Sequence, residues 1–344
     1  MEVTEQVDTD ARLQTVDQIR FARLGVVEKA RERVMLNVGA AQVLLDTAYL
    51  GICGSDLHVL HGKHPWVKPP LVTGHEVSAR VVAVGEGVTR VCVGDHAVIN
   101  PLVWCGVCDR CAKGWFNRCE AAKVIGFRIP GAGQSRFVVG EQQVHRVPSS
   151  VPLHIAGLTE PLAVGVHAAK RWNELDNVLI IGGGTIGLCV LLALRVRGAK
   201  AVTVIEPTQS KRELALRLGA SGVAHPDDFK AEPKHTVSFD CVGFQSTLDT
   251  ACAATMTGGA VVAVGVPPGA MSIPLPRMQR FEIALVGSGM YLPDDIDQAI
   301  ALLVSGEIDV SPLISRVFSL DDVVDSYEVA RQADSVKILV DFSS

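Results

Sequence analysis

Residues 177–198 decide the fold and read NVLIIGGGTIGLCVLLALRVRG. An apolar run ends in glycines at 184, and apolar residues at helical spacing follow it. Gly182, Gly184 and Gly187 fit G-x-G-x-x-G. In this pattern the first glycine makes the tight turn, the second lets the backbone approach a pyrophosphate, and the third lets the helix pack closely on the sheet. The stretch therefore predicts a dinucleotide bound at a helix N-terminus, where free N–H groups favour an anion.

A carboxylate ends the next apolar run, AVTVIE (201–206). Glu206 occupies the position from which a carboxylate accepts hydrogen bonds from an adenosine ribose, and this spacing argues against a purely structural glycine turn. Glu206 would repel a 2′-phosphate, so NAD is favoured over NADP, while Lys211 and Arg212 could turn toward such a phosphate. The predicted cofactor-binding residues are Gly182, Gly184, Thr185, Ile186, Gly187, Glu206 and Lys211.

Strands alternate with helices through the second half of the chain, which is typical of a parallel, doubly wound sheet. The predicted elements include a helix at 210–220, strands at 236–243 and 258–267, an amphipathic helix after 289 and a last strand at 336–342. The last segment is expected to rejoin the first domain, because the nucleotide-binding unit is complete before it. We therefore predict a catalytic domain at 1–160, a cofactor domain at 161–288 and a returning segment at 289–344.

The first half has a different pattern. Short β-branched runs separated by Gly and Pro lie at 43–50, 77–85, 96–100 and 135–140. They predict a mostly β domain whose long loops carry the Cys and His residues. The fold class is therefore α/β with two domains.

Composition excludes several classes of protein. The chain has 344 residues, a net charge of −5 and 48% hydrophobic residues, so extended disorder is not expected. The mild acidity argues against a nucleic-acid binder, and no apolar run is long enough for a membrane helix. The acidic N-terminus lacks the apolar core of a secretory signal, so we expect a cytoplasmic protein.

Four cysteines form a compact cluster. Cys105, Cys108, Cys111 and Cys119 fit C-x2-C-x2-C-x7-C, and four thiolates at such spacing can close a tetrahedron around a structural zinc. An iron–sulfur cluster is the competing interpretation, although the x7 gap and the absence of Pro after the last cysteine disfavour it. Unrelated core cysteines would rarely fall at three such spacings.

A second group of residues indicates an open metal site. Cys53 lies in GICGSDLH (51–58), His75 in GHE (74–76), and either Glu76 or Glu160 can add a carboxylate. Three protein ligands and a water are typical of catalytic zinc. In isolation, His75 could be a satisfied buried histidine and Cys53 a small core residue. Beside a nucleotide-binding fold, the combination favours a metal.

The neighbouring residues fit alcohol oxidation. Zinc polarises an alcohol oxygen, Ser55 can accept the hydroxyl proton, and His58 can relay that proton to solvent, because its pKa lies near neutrality. Asp56 can orient a metal ligand. The predicted catalytic residues are thus Ser55 and His58.

At these residues the chain resembles the zinc-dependent medium-chain dehydrogenase/reductase (alcohol dehydrogenase) superfamily. The resemblance covers residues 34–344 and rests on GICGSDLH, GHE, VGDHAV (94–99), the four-cysteine lobe and VLIIGGGTIGL (178–188). The stretch EPLAVGVHAAKR (160–171) resembles the sorbitol (polyol) dehydrogenase branch. The first twenty residues match nothing in the family, and Arg136 stands where an acid is usual.

The resemblance implies a GroES-like catalytic domain and a Rossmann domain with the active site between them. It implies two zinc ions per chain. One is catalytic, at Cys53 and His75 with Glu76 or Glu160, and one is structural, at the four cysteines. It also implies a homodimer or homotetramer. His61, His64, Trp66 and Trp104 border the expected cleft and either line it or pack as ordinary loop residues.

The leading hypothesis is a zinc- and NAD-dependent dehydrogenase that oxidises a secondary alcohol of a polyol, sugar, cyclitol or aminocyclitol to the ketone. The first alternative is an NADP(H)-dependent secondary alcohol dehydrogenase or ketone reductase of another substrate class. The second is a non-catalytic, zinc-stabilised NAD-binding protein, which the joint presence of Cys53, Ser55, His58 and His75 disfavours. No nucleic-acid or membrane partner is expected.

Overall fold

The computed structural model describes residues 12–343. Residues 1–11, on which the expectation of no secretory signal largely depends, lie outside the described residues. The strands are β1 (Arg12–Arg23), β2 (Val26–Leu36), β3 (Gln42–Ile52), β4 (Leu71–Val72), β5 (Glu76–Val84), β6 (His96–Ile99), β7 (Leu102–Val103), β8 (Lys123–Val124), β9 (Arg136–Gly140), β10 (Val144–Val147), β11 (Asn177–Ile181), β12 (Ala201–Ile205), β13 (Gly222–Ala224), β14 (His235–Asp240), β15 (Thr255–Ala263), β16 (Ala284–Gly287), β17 (Ile314–Ser319) and β18 (Lys337–Asp341).

The α-helices are α1 (Gly54–Leu60), α2 (Asp109–Ala112), α3 (Leu153–Ala156), α4 (Thr159–Ala169), α5 (Thr185–Val196), α6 (Gln209–Arg217), α7 (Gln245–Ala254), α8 (Leu275–Arg280), α9 (Pro293–Ser305) and α10 (Val323–Ala330). Short 3₁₀ helices lie at Phe116–Arg118, Glu141–Gln143, Pro226–Asp228, Ser311–Leu313 and Leu320–Asp322.

The first compact unit contains the described chain as far as Glu160, together with Arg316–Arg331 and the chain from Ile338. Its main sheet has the order β10-β6-β5-β3-β18-β17, and β9 pairs with the first half of β3. A smaller sheet has the order β2-β1-β4. Phe21 of the small sheet and Leu45 of the main sheet belong to one buried core, so the two sheets pack on each other. This is the mostly β domain that the sequence predicts.

The second unit is a six-stranded sheet of order β13-β12-β11-β14-β15-β16, with every pair parallel. Counted within the unit, this order is 3-2-1-4-5-6, the doubly wound arrangement of dinucleotide-binding domains. Strand β14 is buried along its whole length, because helices cover both faces of such a sheet. The predicted α/β fold class is confirmed.

The end of the second unit differs from the boundary expected at residue 289, because residues 161–315 belong to that unit. Asp295 of α9 explains the placement: its carboxylate oxygens lie 2.7 Å from His167 Nδ1 and 2.6 Å from Lys170 Nζ, both in or just after α4. The chain enters the first unit only at Arg316. An amphipathic pattern predicts such a helix but does not identify the surface on which it packs.

Arg136 is explained by strand pairing. It lies opposite Asp46 in the β9–β3 ladder, and its guanidinium makes a bidentate contact with that carboxylate. Gln14 accepts a further hydrogen bond from Arg136 at 3.0 Å. A paired and partly buried Arg–carboxylate fork such as this one stabilises the register of the two strands.

Candidate active site and metal centres

Two strand ends bring Cys53 and His75 together. In the antiparallel pair of β3 and β5, Gly51 lies opposite Glu76. Cys53 follows the end of β3, and His75 immediately precedes β5. Since the end of one strand meets the start of its antiparallel neighbour, two motifs that are far apart in sequence become neighbours in the fold.

A second stretch of backbone fixes the segment that carries His75. Gly131 donates to Val72 O at 2.9 Å, Gly133 to Thr73 O at 2.8 Å, and Ala132 to the carbonyl of residue 74 at 2.9 Å. Thr73 is fully buried. These bonds hold the residue before the β5 strand in one position, and such rigidity is what a metal ligand requires.

The ligand atoms of Cys53, His75 and Glu76 lie within 4.8 Å of one another. His75 and Glu76 are buried, and Cys53 is partly buried. A thiolate, an imidazole and a carboxylate form a three-ligand set of the kind that binds catalytic zinc and leaves a fourth position open. Glu160, the alternative carboxylate, is not part of this cluster, although its charge acts on His75.

Gly51 provides the space for the carboxylate of the cluster. A Cβ at this position would lie 2.2 Å from Glu76 Oε2 and 3.1 Å from Glu76 Cβ. No side chain larger than hydrogen therefore fits beside the carboxylate in its present position. The strand pairing that aligns the two motifs thus also leaves space for the carboxylate of Glu76.

Asp56 connects the two halves of the cluster. Its Oδ2 accepts a hydrogen bond from the Cys53 N–H at 3.0 Å, and its Oδ1 accepts one from Thr73 Oγ1 at 2.9 Å. The same Oδ1 lies 3.6 Å from His75 Nδ1, which has no hydrogen-bond partner among the described residues. A carboxylate beside one ring nitrogen leaves the other nitrogen for a metal, as in zinc sites with a carboxylate behind the histidine.

Opposing effects act on His75. Burial disfavours the charged ring, but Asp56, Cys53 and Glu160 together outweigh burial and raise the pKa of His75 well above its ordinary value. The pocket thus stabilises positive charge at this ring. Such a field suits a divalent cation.

Helix α1 carries the predicted proton-transfer residues. Ser55 and His58 lie three positions apart and therefore on one face of the helix. Ser55 is half-buried. Burial, with smaller contributions from Lys63 and His61, lowers the pKa of His58 below its ordinary value of 6.5. At neutral pH, His58 is thus neutral and able to accept a proton.

His64 lies near the cluster. Its ring stacks on Phe127 with centroids 5.2 Å apart, and the Phe127 ring centroid lies 5.0 Å from that of His75. The Trp66 N–H donates to His64 Nδ1 at 3.3 Å, which leaves the proton of the neutral ring on Nε2. Burial lowers the pKa of His64.

The other three residues that the sequence placed at the cleft make mainly local contacts. His61 Nδ1 is 2.7 Å from the carbonyl of Leu57 in its own helix. Trp66 is 71% exposed. Trp104 stacks on Phe116 in the cysteine lobe with ring centroids 4.5 Å apart.

The four cysteines form a separate cluster, in which all four Sγ atoms lie within 4.8 Å of one another. The Sγ atoms of Cys105 and Cys119 are 3.5 Å apart, those of Cys108 and Cys111 3.6 Å, and those of Cys105 and Cys111 3.9 Å. A tetrahedron with zinc–sulfur bonds of about 2.3 Å has edges of about 3.8 Å. The geometry therefore suits one metal ion better than a larger iron–sulfur core.

Thiolate character is built into this lobe. The backbone N–H groups of Val107 and Cys108 lower the pKa of Cys105 to about 6. Burial and the neighbouring thiols raise the pKa of Cys111 to about 12. Backbone donors thus favour the thiolate form of Cys105, which is the form in which cysteine binds metal.

The glycine loop joins β11 to α5 as predicted. Gly182 has a φ of +97°, and a Cβ on Gly187 would lie 1.8 Å from Gly182 O, so the helix packs on the turn as closely as glycine allows. Ile186 is half-buried in the first turn of α5. The Thr185 hydroxyl donates to Val336 O at 2.6 Å.

Glu206 is held at the end of β12. Gly183 N–H donates to its Oε2 at 2.8 Å, and Thr208 N–H donates to its Oε1 at 2.9 Å. Arg212 donates to the carbonyls of Glu206 and Pro207 at 2.7 Å. Burial lowers the pKa of Lys211, although Glu206 opposes this shift.

Sequence reasoning missed three residues beside the metal cluster, namely Thr73, Phe127 and Tyr327. Thr73 precedes GHE by one residue, so its proximity to His75 was available as a signal. Tyr327 and Phe127 are remote in sequence from both metal motifs, and no spacing rule leads to them.

Among the described residues, no helix is long and apolar enough to cross a membrane.

Comparison with known proteins gives the family. The alcohol dehydrogenase GroES-like domain model matches residues 39–149, and the zinc-binding dehydrogenase model matches residues 185–305. The 2-dehydro-3-deoxy-L-galactonate 5-dehydrogenase of Pseudoalteromonas atlantica is 36% identical over 83% of this chain and 86% of its own length. This chain belongs to the zinc-dependent medium-chain dehydrogenase/reductase superfamily, in its polyol dehydrogenase branch.

Two further relatives support the placement of this medium-chain dehydrogenase. The L-idonate 5-dehydrogenase of Vitis vinifera is 32% identical over 90% of this chain and 91% of its own length. A solved chain from Sinorhizobium meliloti 1021, bound to NADP, superposes with a TM-score of 0.89 at 27% identity, covering 95% of this chain and 99% of that chain. The dehydrogenase is thus an oxidoreductase of secondary alcohols of the sugar and polyol type that uses a nicotinamide cofactor.

Proposed function

We propose that this dehydrogenase oxidises a secondary hydroxyl of a polyol or sugar acid to the ketone with NAD, at a catalytic zinc held by Cys53, His75 and Glu76. The observation that carries the proposal is the convergence of these three ligand atoms within 4.8 Å. A zinc ion held there would supply Lewis-acid polarisation of the substrate oxygen, and NAD would supply the hydride acceptor.

The residues of α1 provide the path for the proton. Ser55 accepts the proton of the substrate hydroxyl as it gives up its own hydroxyl proton, and His58, three positions further along the helix, takes up the released proton and passes it to solvent. The lowered pKa of His58 keeps the ring neutral at neutral pH. A neutral ring is required in the oxidation direction, because only this form can accept the proton.

Glu160 is proposed as an alternate metal ligand. It is 8% exposed at the start of α4, and its charge acts on His75. A second carboxylate near the cluster can replace Glu76 when substrate or water enters. The four cysteines are proposed to hold a second, structural zinc, because their sulfur separations match a closed tetrahedral site.

His64 supports a polyhydroxylated substrate. Its neutral ring carries a proton on Nε2, and burial together with His58 and His75 lowers the pKa of His64 and so favours that neutral form. A donor at this place would bind an oxygen next to the reacting hydroxyl. Both named curated relatives are 5-dehydrogenases of sugar acids, which makes an open-chain sugar acid the first class to test.

The surroundings of Glu206 favour NAD. Its carboxylate is held by two backbone N–H groups, and Arg212 is held by backbone carbonyls. The carboxylate can accept hydrogen bonds from the ribose hydroxyls of NAD. The 2′-phosphate of NADP would instead be repelled by the negative charge of Glu206, and Arg212 is already bound to backbone carbonyls. The alternative, an NADP(H)-dependent enzyme, remains the competing outcome of the cofactor test.

Glu206→Gln should remove most of the preference for NAD. The amide keeps the size of the side chain but loses the charge that accepts from ribose and repels phosphate, so kcat/KM with NAD should fall about 10- to 100-fold. The value with NADP should fall less or rise. Glu213→Gln on the exposed face of α6 is the matched control. Equal losses with both cofactors would remove Glu206 from the ribose site.

The function is tested by measuring formation of the reduced cofactor, with NAD and NADP separately, on zinc-loaded protein. The panel holds L-idonate, sorbitol, a cyclitol and simple secondary alcohols. Turnover of an open-chain polyol or sugar acid with NAD, lost on chelation, supports the proposal. Turnover restricted to simple alcohols with NADP contradicts it.

The proposal also covers the roles of the two units, the oligomeric state and the cellular location. The first unit is proposed to hold the reacting substrate and the second the cofactor, with the enzyme working as a homo-oligomer in the cytoplasm. Strand β16 ends the second unit's sheet and carries Leu285, which is 43% exposed. An apolar edge strand of this kind suits extension by a second copy.

A further inference from the structure

Tyr327 of α10 places a polar hydroxyl in the core of the first unit. It is among the largest fully buried side chains, with 1% of its surface exposed, and its hydroxyl has no hydrogen-bond partner among the described residues. A buried hydroxyl without a partner has lost its hydrogen bonds to water and destabilises the folded state. Phenylalanine would fill nearly the same space without an unpaired polar group. The presence of the hydroxyl therefore needs a physical explanation.

The Tyr327 ring packs in the core of the first unit, and the charges of Asp56, Cys53 and Glu76 act on its hydroxyl. The Tyr327 ring meets Phe21 edge to face, with centroids 5.4 Å apart. Phe21 pairs with Leu71 in the β1–β4 ladder, and Thr73 follows two residues later, with its N–H bonded to Ile19 O at 3.1 Å. The tyrosine therefore packs against Phe21, whose strand pairs with the strand that leads to Thr73 and His75.

The hydroxyl of Thr73 can accept a further hydrogen bond but cannot donate a second one. Its single hydroxyl proton goes to Asp56 Oδ1 at 2.9 Å, so the oxygen can take part in further bonds only as an acceptor. A tyrosine hydroxyl is a donor at neutral pH. Burial and the charge of Asp56 raise the pKa of Tyr327 well above its ordinary value, while an interaction with Thr73 opposes this rise.

We propose that Tyr327 is a positioning residue for the zinc ligand His75 and acts through a relay in which its hydroxyl donates to Thr73, Thr73 donates to Asp56, and Asp56 faces His75 Nδ1. The inference rests on the proposed zinc site of Cys53, His75 and Glu76. A small approach of the tyrosine hydroxyl toward Thr73 completes the chain.

The relay works by polarisation and by fixing rotamers. A donor to Thr73 strengthens the bond that Thr73 makes to Asp56. The carboxylate is then held on both oxygens, because the Cys53 N–H binds the other one. An oriented Asp56 fixes the ring of His75, and partners of this kind behind a zinc ligand are worth about 10- to 100-fold in metal affinity.

The test measures zinc binding rather than turnover. Tyr327→Phe should weaken the catalytic zinc about 10-fold in chelator competition, shift the visible spectrum of the cobalt-substituted protein, and leave the zinc of the cysteine lobe in place. Thr73→Val should weaken it at least as much, and Thr73→Ser, which keeps the hydroxyl, should restore the affinity. In the Thr73→Val background, Tyr327→Phe should have no further effect, because the relay is already broken.

Tyr291→Phe is the matched control, since Tyr291 is a fully buried tyrosine of the second unit and should leave zinc affinity unchanged. An unchanged zinc affinity and cobalt spectrum in Tyr327→Phe, with a raised melting temperature, would overturn the relay and show a hydroxyl without function. If the proposed zinc site of Cys53, His75 and Glu76 does not exist, the result is different. In that case the unaltered protein and Cys53→Ser would contain the same amount of zinc.

Discussion

Replacing Cys53 by serine is expected to lower turnover at least about 10³-fold while the fold remains intact. The serine hydroxyl is protonated at neutral pH and is a much weaker zinc ligand than a thiolate. The remaining His75 and Glu76 supply only two of the three ligands in the cluster. Loss of Lewis-acid polarisation is worth several kcal/mol, which corresponds to a factor of this size in rate.

Two other cysteines make the Cys53 experiment selective. Cys92 is exposed and lies outside both cysteine-containing clusters, so Cys92→Ser should keep both zinc ions and full activity. Cys108→Ser should lose the lobe zinc and lower the melting temperature, since it opens a four-thiolate site. The zinc content of Cys53→Ser should fall from two ions per chain to one. A fully active Cys53→Ser protein would refute the catalytic zinc assignment.

Local patterns in the sequence predict the parts of the site that local geometry builds. The glycine loop and its helix are contiguous in the chain, and the turn at Gly182 needs no distant partner. The four cysteines lie on one short segment, so their spacing alone predicts a cluster. Cys53 and His75 meet because of the β3–β5 register, which their chemistry suggests but their spacing does not determine.

Other features depend on packing that no short pattern encodes. Strand β2 reads VVEKARERVML, in which charged residues occupy much of a half-exposed strand, and this composition conceals it from a search for apolar runs. Tyr327 lies in the same core as the strands that carry Cys53 and His75 only because α10 returns to the first unit. The grouping of Glu76 rather than Glu160 with Cys53 follows from the pairing of Glu76 with Gly51.

The pairing of Gly51 with Glu76 predicts a second large effect. Gly51→Ala should lower kcat/KM about 10²-fold and destabilise the first unit by about 1–3 kcal/mol. The added Cβ would lie 2.2 Å from Glu76 Oε2, so the carboxylate must move away from the metal position. Overpacking a buried site has a cost of this order, and displacing a site residue by about 1 Å has comparable consequences for rate.

A double-mutant cycle separates this steric effect from a general weakening of the strand. In a Glu76→Ala background the carboxylate is absent and only the 3.1 Å approach to the Cβ of residue 76 remains, so adding Gly51→Ala should lower the melting temperature much less than it does in the unaltered protein. Gly269→Ala is the matched control, because a Cβ there meets no atom within 4 Å. If Gly51→Ala costs the same stability with and without the carboxylate, the space beside Glu76 serves the strand and not the metal site. If most of the cost disappears with the carboxylate, the glycine is required because the carboxylate of Glu76 occupies that space.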